Sequence, residues 1–282
     1  MTQRIGVAVV HGVGKQGPEF VEKIAGELRS RCKKQCGDDI VIRPVHWGGE
    51  MQAMEDELWD RLKVGGPLDF IELRRFLIDF VGDAFAYQPS TSNRDTYDRV
   101  HSVLAKAIRG LAQEAGETAP LCVIAHSLGS IIASNYIYDL QNPWLISPEV
   151  RHLMGDTPMD RGETLALLYT LGSPLAIFCL RFKDFGKPIE VPSPVLAQHY
   201  PDLKGEWVNF YDRDDVIGFP LRTLSRAYQK VVTRDREVNV GSPFMNWTPL
   251  SHMHYWTDRD VIVPISRSLI RTWKTVNKSV IP

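Results

Sequence analysis

Leu121-Cys122-Val123-Ile124-Ala125-His126-Ser127-Leu128-Gly129-Ser130-Ile131-Ile132-Ala133 is the stretch on which the fold turns. Its apolar lead-in reads as a buried strand, and the apolar residues after Gly129 read as the start of a helix. Between them Ser127 stands flanked by two small residues, Ala125 and Gly129. A serine hydroxyl is a weak nucleophile, and it is presented for reaction by a tight strand-to-helix turn that only small neighbours allow to close. The five-residue string is short, so its placement between strand and helix carries the reading. Ser127 is the candidate nucleophile.

A strand that runs straight into a helix is half of a βαβ unit, and the pattern repeats along the chain. Strands are expected at Ile5–Val10, Ile40–Val45, 121–125, Leu165–Leu171 and 207–211. Helices are expected at 19–34, where Val21, Ile24, Ala25 and Leu28 share a face, and at Asp95–Ala115, where Val100, Leu104, Ala107, Ile108 and Leu111 recur at helical spacing. Further helices follow Ser127 and Asp260. This alternation predicts an α/β fold with a mainly parallel central sheet covered by helices, built as one domain over residues 1–282. The proline-rich stretch 187–201 reads as a surface loop.

Residues 48–90 break the alternation. They hold two helical patterns, 51–62 and 69–86, and so read as a helical insertion. In the second pattern Phe70, Leu73, Leu77, Phe80, Val81 and Ala84 form a wide apolar face, while Ile71, Ile78 and Phe85 load a neighbouring stripe. That exceeds what one contact with a sheet requires. Either the insertion packs on the sheet or against a second copy of the chain, or it caps the site and uses Phe76, Phe80 and Phe85 to wall a substrate pocket.

Composition removes several classes of function. With 33 basic against 34 acidic residues among 282, the chain has no charge excess to attract nucleic acid or an anionic membrane surface. The N-terminal apolar run is too short for a secretory signal, and the apolar stretch 70–87 is broken by Glu72, Arg74, Arg75, Asp79 and Asp83, so no integral membrane segment is expected. Cys32, Cys36, Cys122 and Cys179 are few and lack zinc-site spacing, which fits plain thiols in a reducing, cytoplasmic compartment. Gly12-Val13-Gly14-Lys15 is no phosphate loop, because Val9 stands where the first glycine belongs and Gln16 where Ser or Thr should follow the lysine.

Three further segments supply the groups that a serine nucleophile needs. The first strand ends in His11-Gly12-Val13-Gly14, whose glycines let backbone N–H groups approach a developing oxyanion; the N–H groups of Val13 and Leu128 are the candidate oxyanion hole. On the plainer reading these glycines only make a tight turn and His11 is a hydrogen-bonded structural residue. Trp207-Val-Asn-Phe-Tyr-Asp-Arg-Asp-Asp-Val-Ile-Gly runs from a strand into an acidic loop, where a triad acid belongs. Asp212, Asp214 and Asp215 compete; Asp214 is preferred because Val216 of the Asp-x-Val string would anchor the loop. Near the C-terminus, Pro249-Leu-Ser-His-Met-His-Tyr-Trp offers His252 or His254 as general base, with His252 preferred. The spacing of the two histidines also suits metal ligands, but no acidic or cysteine cluster completes a site, and neither metal nor cofactor is called for.

Taken together, His-Gly-Val-Gly, Ala-His-Ser-Leu-Gly, Leu-Gly-Ser-Pro-Leu at 171–175, Asp-Asp-Val and Ser-His-x-x-Tyr-Trp make the chain resemble the lipase- and esterase-like α/β-hydrolases. The resemblance runs from Arg4 to about Ile270, leaves out 48–90, and has Ala125 where glycine is commoner. It implies the α/β-hydrolase fold and a Ser127–Asp214–His252 triad that cleaves a small-molecule carboxylic ester, lipid-like where the insertion caps the site, through an acyl-enzyme. Thioesterase, amidase or acyltransferase chemistry would use the same residues, and a non-catalytic binding protein could keep the same fold. Oligomeric state is left open.

Overall fold

The computed structural model describes residues 2–13, 19–48, 52–89, 94–241, 252 and 254–280, apart from the side chains of residues 19, 20, 52–54 and 72. Gly14, Lys15, Gln16, Met51 and the segment leading into His252 lie outside the described residues. In chain order the elements are β1 (Ile5–Val10), α1 (Glu19–Cys36), β2 (Ile40–Val45), α2 (Gln52–Lys63), α3 (Ile71–Tyr87), α4 (Asp95–Ala115), β3 (Leu121–His126) and α5 (Leu128–Gln141). Then follow α6 (Pro148–Leu153), β4 (Leu165–Leu171), α7 (Leu175–Phe178), α8 (Leu196–His199), β5 (Glu206–Asp212), α9 (Arg226–Val231), β6 (Arg234–Val238) and α10 (Arg259–Val276), with short 3₁₀ turns between some of them.

The strands form one sheet in the order β2-β1-β3-β4-β5-β6, and every neighbouring pair is parallel. β1, β3 and β4 are buried at every residue, as central parallel strands must be when helices cover both faces. Alternate side chains divide between two cores. Ala8, Val10, Val123 and Ala125 pack against α4 and α5 on one face. Val7, Val9, Cys122 and Ile124 pack against α1 and α10 on the other. β1 is followed by β2 on one side, whereas β3 lies on its other side, so the strand order reverses at β1. In open parallel sheets the crevice beyond the strand carboxyl ends at such a reversal is where ligands gather. The crevice here is bounded by His11-Gly12-Val13 after β1 and by Ser127 after β3.

Two parts of the fold differ from the sequence reading. β6 was not expected, because Arg-Asp-Arg-Glu-Val has no apolar alternation. As an edge strand it needs little burial, and its charges guard the open edge against further pairing. The 187–201 stretch is no surface loop: Ile189, Val191 and Leu196 are buried, and α8 lies within it. Gln141 of α5 fastens it by donating from Nε2 to the Glu190 carbonyl (2.7 Å) and accepting from the Glu190 N–H (3.0 Å).

The insertion consists of two helices, α2 and α3, clamped by Arg75, which reaches Asp56 at 2.7 Å and Asp79 at 2.9 Å. Four-residue spacing sorts the surplus of apolar residues on α3 into two stripes. Phe76, Phe80 and Ala84 pack against the core, whereas Leu77, Val81 and Phe85 face solvent. Tyr87, at the end of α3, is fully buried and shares a 2.9 Å hydrogen bond with His101 of α4. No helix among the described residues is long and apolar enough to cross a membrane.

Candidate active site

β3 ends at His126 and α5 begins at Leu128, so Ser127 alone makes the turn. Its backbone sits at φ 52°, ψ −132°, a strained conformation for a residue with a side chain, of a kind concentrated at functional sites. The turn closes only because its neighbours are small. A Cβ on Gly129 would lie 2.1 Å from the His11 carbonyl oxygen, and one on Gly12 would lie 2.8 Å from Ser127 Cβ. The end of β1 is thereby brought against the serine. Ser127 N–H donates to the Leu171 carbonyl (3.0 Å), and Ser130 Oγ donates to the Ser127 carbonyl (2.6 Å) while sharing a 2.6 Å bond with Ser173 Oγ.

His252 stands between Ser127 and an acid. Its Nε2 is 2.8 Å from Ser127 Oγ and its Nδ1 is 2.8 Å from Asp215 Oδ2. Asp215 therefore corrects the expectation of Asp214. The preferred register assumed that Val216 anchors the loop, but Val216 is 56% exposed, whereas Ile217 is buried and its N–H donates to Asp215 Oδ1 (3.1 Å). The anchor lies one residue later, and so does the carboxylate that meets His252. Asp214 points its backbone N–H at Asp212 Oδ1 (2.8 Å), and Asp212 Oδ2 accepts from Val240 N–H (2.6 Å). Asp212 thus braces the loop.

Asp215 is fully enclosed. Burial opposes its charge, yet the ring of His252, the Ile217 N–H and the Tyr255 hydroxyl (2.9 Å) outweigh it and hold the carboxyl below its ordinary value. Tyr255 also accepts from the Asp212 N–H (2.8 Å), which ties the loop after β5 to the segment that carries His252. Two glycines make room for the pair. A Cβ on Gly172 would fall 2.7 Å from Asp215 Oδ2 and 3.0 Å from His252 Nδ1, and one on Gly218 would fall 2.5 Å from Asp215 Oδ2.

Two histidines that the elbow and the first strand bring to the site serve its framework. His126 Nε2–H donates to the His252 carbonyl at 2.8 Å, and its rings pack with those of His252 and Trp256. Burial, with the neighbouring His252, pushes His126 down to about 3, so it stays neutral. His11 Nδ1–H donates to the Gly12 carbonyl (2.8 Å), its ring stacks on Trp47, and burial lowers it to about 4. His254 is half-buried and directly precedes the 3₁₀ turn Tyr255–Thr257.

The remaining candidates divide. Val13 and Leu128 are both buried; Leu128 directly follows Ser127, and Val13 follows Gly12, which packs against Ser127. Phe76 of α3 lies 5.1 Å from the His252 ring, centroid to centroid, and 5.9 Å from Phe80. Phe85 is 79% exposed on the solvent stripe of α3, so its expected place in a pocket wall is incorrect. Ser127 and His252 are themselves only 1% and 2% exposed. His126, Gly172, Gly218 and Tyr255 were not singled out from sequence, although all four lie within the motifs that carry the site. No protein-family model matches the chain, and comparison with curated proteins found no match.

Proposed function

We propose that the chain is a serine hydrolase on an α/β-hydrolase fold, with Ser127 as nucleophile, His252 as general base and Asp215 as the acid that orients it. The observation that carries this reading is the imidazole of His252 bonded to Ser127 Oγ on one nitrogen and to Asp215 on the other, each at 2.8 Å. A proton on Nδ1, held by the carboxylate, leaves the Nε2 lone pair free to take the Ser127 proton as Oγ attacks an ester carbonyl. The imidazolium that forms is stabilised by Asp215. The N–H groups of Val13 and Leu128 are assigned to the oxyanion. Collapse of the tetrahedral intermediate expels the alcohol with the proton from Nε2, and water activated by His252 then cleaves the acyl-enzyme.

The sheet order and the strained serine at its reversal point support the fold assignment; the substrate class rests on α3. Phe76 places an apolar wall beside His252, which favours a carboxylic ester with an apolar acyl group. The decisive experiment is covalent labelling by a fluorophosphonate. Wild type is expected to be labelled at Ser127, and Ser127→Ala to lose both labelling and hydrolysis of an activated short-chain ester, by several orders of magnitude. An unlabelled, well-folded wild type would point to a binding protein on the same scaffold.

A further inference from the structure

A cavity of about 600 Å³ lies within the α4/α5 side of the molecule, and none of Ser127, Asp215 or His252 lines it. It extends from Val45, the last residue of β2, to Leu121 and Leu165, the first residues of β3 and β4. It is therefore about as long as a strand, on the order of 15–20 Å. Val10, Val123, Leu104, Ile108 and Ile137 give it apolar walls. Its volume falls in the range that holds small organic ligands.

One wall carries a buried polar group. Tyr136 lines the cavity and is 2% exposed, yet its hydroxyl has no hydrogen-bond partner among the described residues. Burial, together with the charges of Asp160 and Asp139, keeps the phenol protonated, so it is a donor lacking an acceptor among those residues. At the mouth two arginines meet two acids. Arg161 is bonded to both Glu163 (2.6 Å) and Asp156 (3.2 Å), and Arg151 donates to the Pro143 carbonyl (2.7 Å). That balance offers no net charge to draw an anion or a cation inward.

We propose that this cavity is a second binding site, separate from the serine, for a neutral, elongated apolar molecule bearing one acceptor oxygen, a ketone or an ester, which receives the Tyr136 hydroxyl. The walls select the apolar body, the hydroxyl selects the oxygen, and the balanced mouth selects against charge.

Calorimetric titration of the full chain with 2-nonanone tests this. Saturable binding is expected, about tenfold weaker in Tyr136→Phe, abolished in Ala133→Leu, which fills the cavity from α5, and unchanged in Phe76→Ala on the catalytic side. Tyr136→Phe adds no volume, so it remains informative if the filled variant does not fold. No saturable binding would mean that water alone occupies the Tyr136 corner and would overturn the proposal. So would a ketone affinity that Tyr136→Phe leaves unchanged, or one that follows Phe76 in place of the cavity residues.

Discussion

The carboxylate of Asp215 accepts from His252 Nδ1 at 2.8 Å, while the adjacent Asp214 turns its backbone N–H to Asp212. Only one carboxylate can hold the imidazole tautomer. Asp215→Asn is expected to lower kcat by about 10⁴, the cost of presenting the wrong tautomer in a comparable triad. Asp214→Asn is expected to stay within a few-fold of wild type. Parallel steady-state measurements on the two variants check this; equal losses would place the function of the loop in its overall charge.

Gly172 supplies a sharper test of the same geometry. Its φ is +51°, and a Cβ there would lie 2.7 Å from Asp215 Oδ2, 2.8 Å from Tyr255 Cε2 and 3.0 Å from His252 Nδ1. Gly172→Ala forces an alanine into that left-handed conformation, at a cost of about 1–2 kcal/mol, and pushes directly on the Asp215–His252 pair. The expected result is a lowered Tm together with a fall in kcat that far exceeds the change in KM. A variant with a lower Tm and unaltered kcat would show that the pair tolerates displacement.

The parts of this site that were legible in sequence are those whose chemistry forces a local pattern. Ser127 could be read because the elbow needs a strand, small neighbours and a helix in immediate succession. β1, β3 and β4 could be read because burial on both faces demands unbroken apolar runs. The register of the acid could not, since Val216 and Ile217 are equally apolar and only the folded loop shows which one turns inward. Phe85 failed for a related reason. α3 has more apolar residues than one face can bury, and composition does not say which stripe meets the core. β6 is held by backbone pairing to β5 and by Asp235, which accepts from Asn209 Nδ2 and from the N–H groups of Leu221 and Arg222. Such contacts leave no periodicity to read.

Glu55 of α2 gives the insertion a pH dependence of its own. It is 4% exposed, neither carboxyl oxygen has a hydrogen-bond partner among the described residues, and Gly82 of α3 packs against it. Burial, with Asp83 and Asp79 nearby, raises its pKa from 4.5 to about 7. Because the folded protein favours the neutral acid, this contribution to stability is fully present below 4.5 and is lost as pH rises through about 7. Glu55→Gln should therefore gain about 1–3 kcal/mol over wild type at pH 8.5 and little at pH 5. Denaturant unfolding at the two pH values checks this; a difference independent of pH would mean that the buried group keeps its charge.

The contact between Phe76 and His252 makes acyl-chain selectivity measurable. Ser127 and His252 are nearly inaccessible, and the Phe76 ring centroid is 5.1 Å from that of His252, so an acyl group that reaches Ser127 meets an apolar surface on α3. Each methylene buried there is worth about 0.8 kcal/mol, close to fourfold. Octanoyl esters should then exceed butyryl esters in kcat/KM by well over tenfold in the wild type. Phe76→Ala removes the wall nearest the base and should narrow that ratio by about tenfold, with Phe80→Ala acting in the same direction because its ring stacks on Phe76. Phe85→Ala, on the solvent stripe, should leave the ratio as it is. A wild type that prefers acetyl, or a Phe76→Ala variant of normal stability with an unchanged ranking of chain lengths, would separate α3 from substrate selection while leaving the proposed roles of Ser127, His252 and Asp215 untouched.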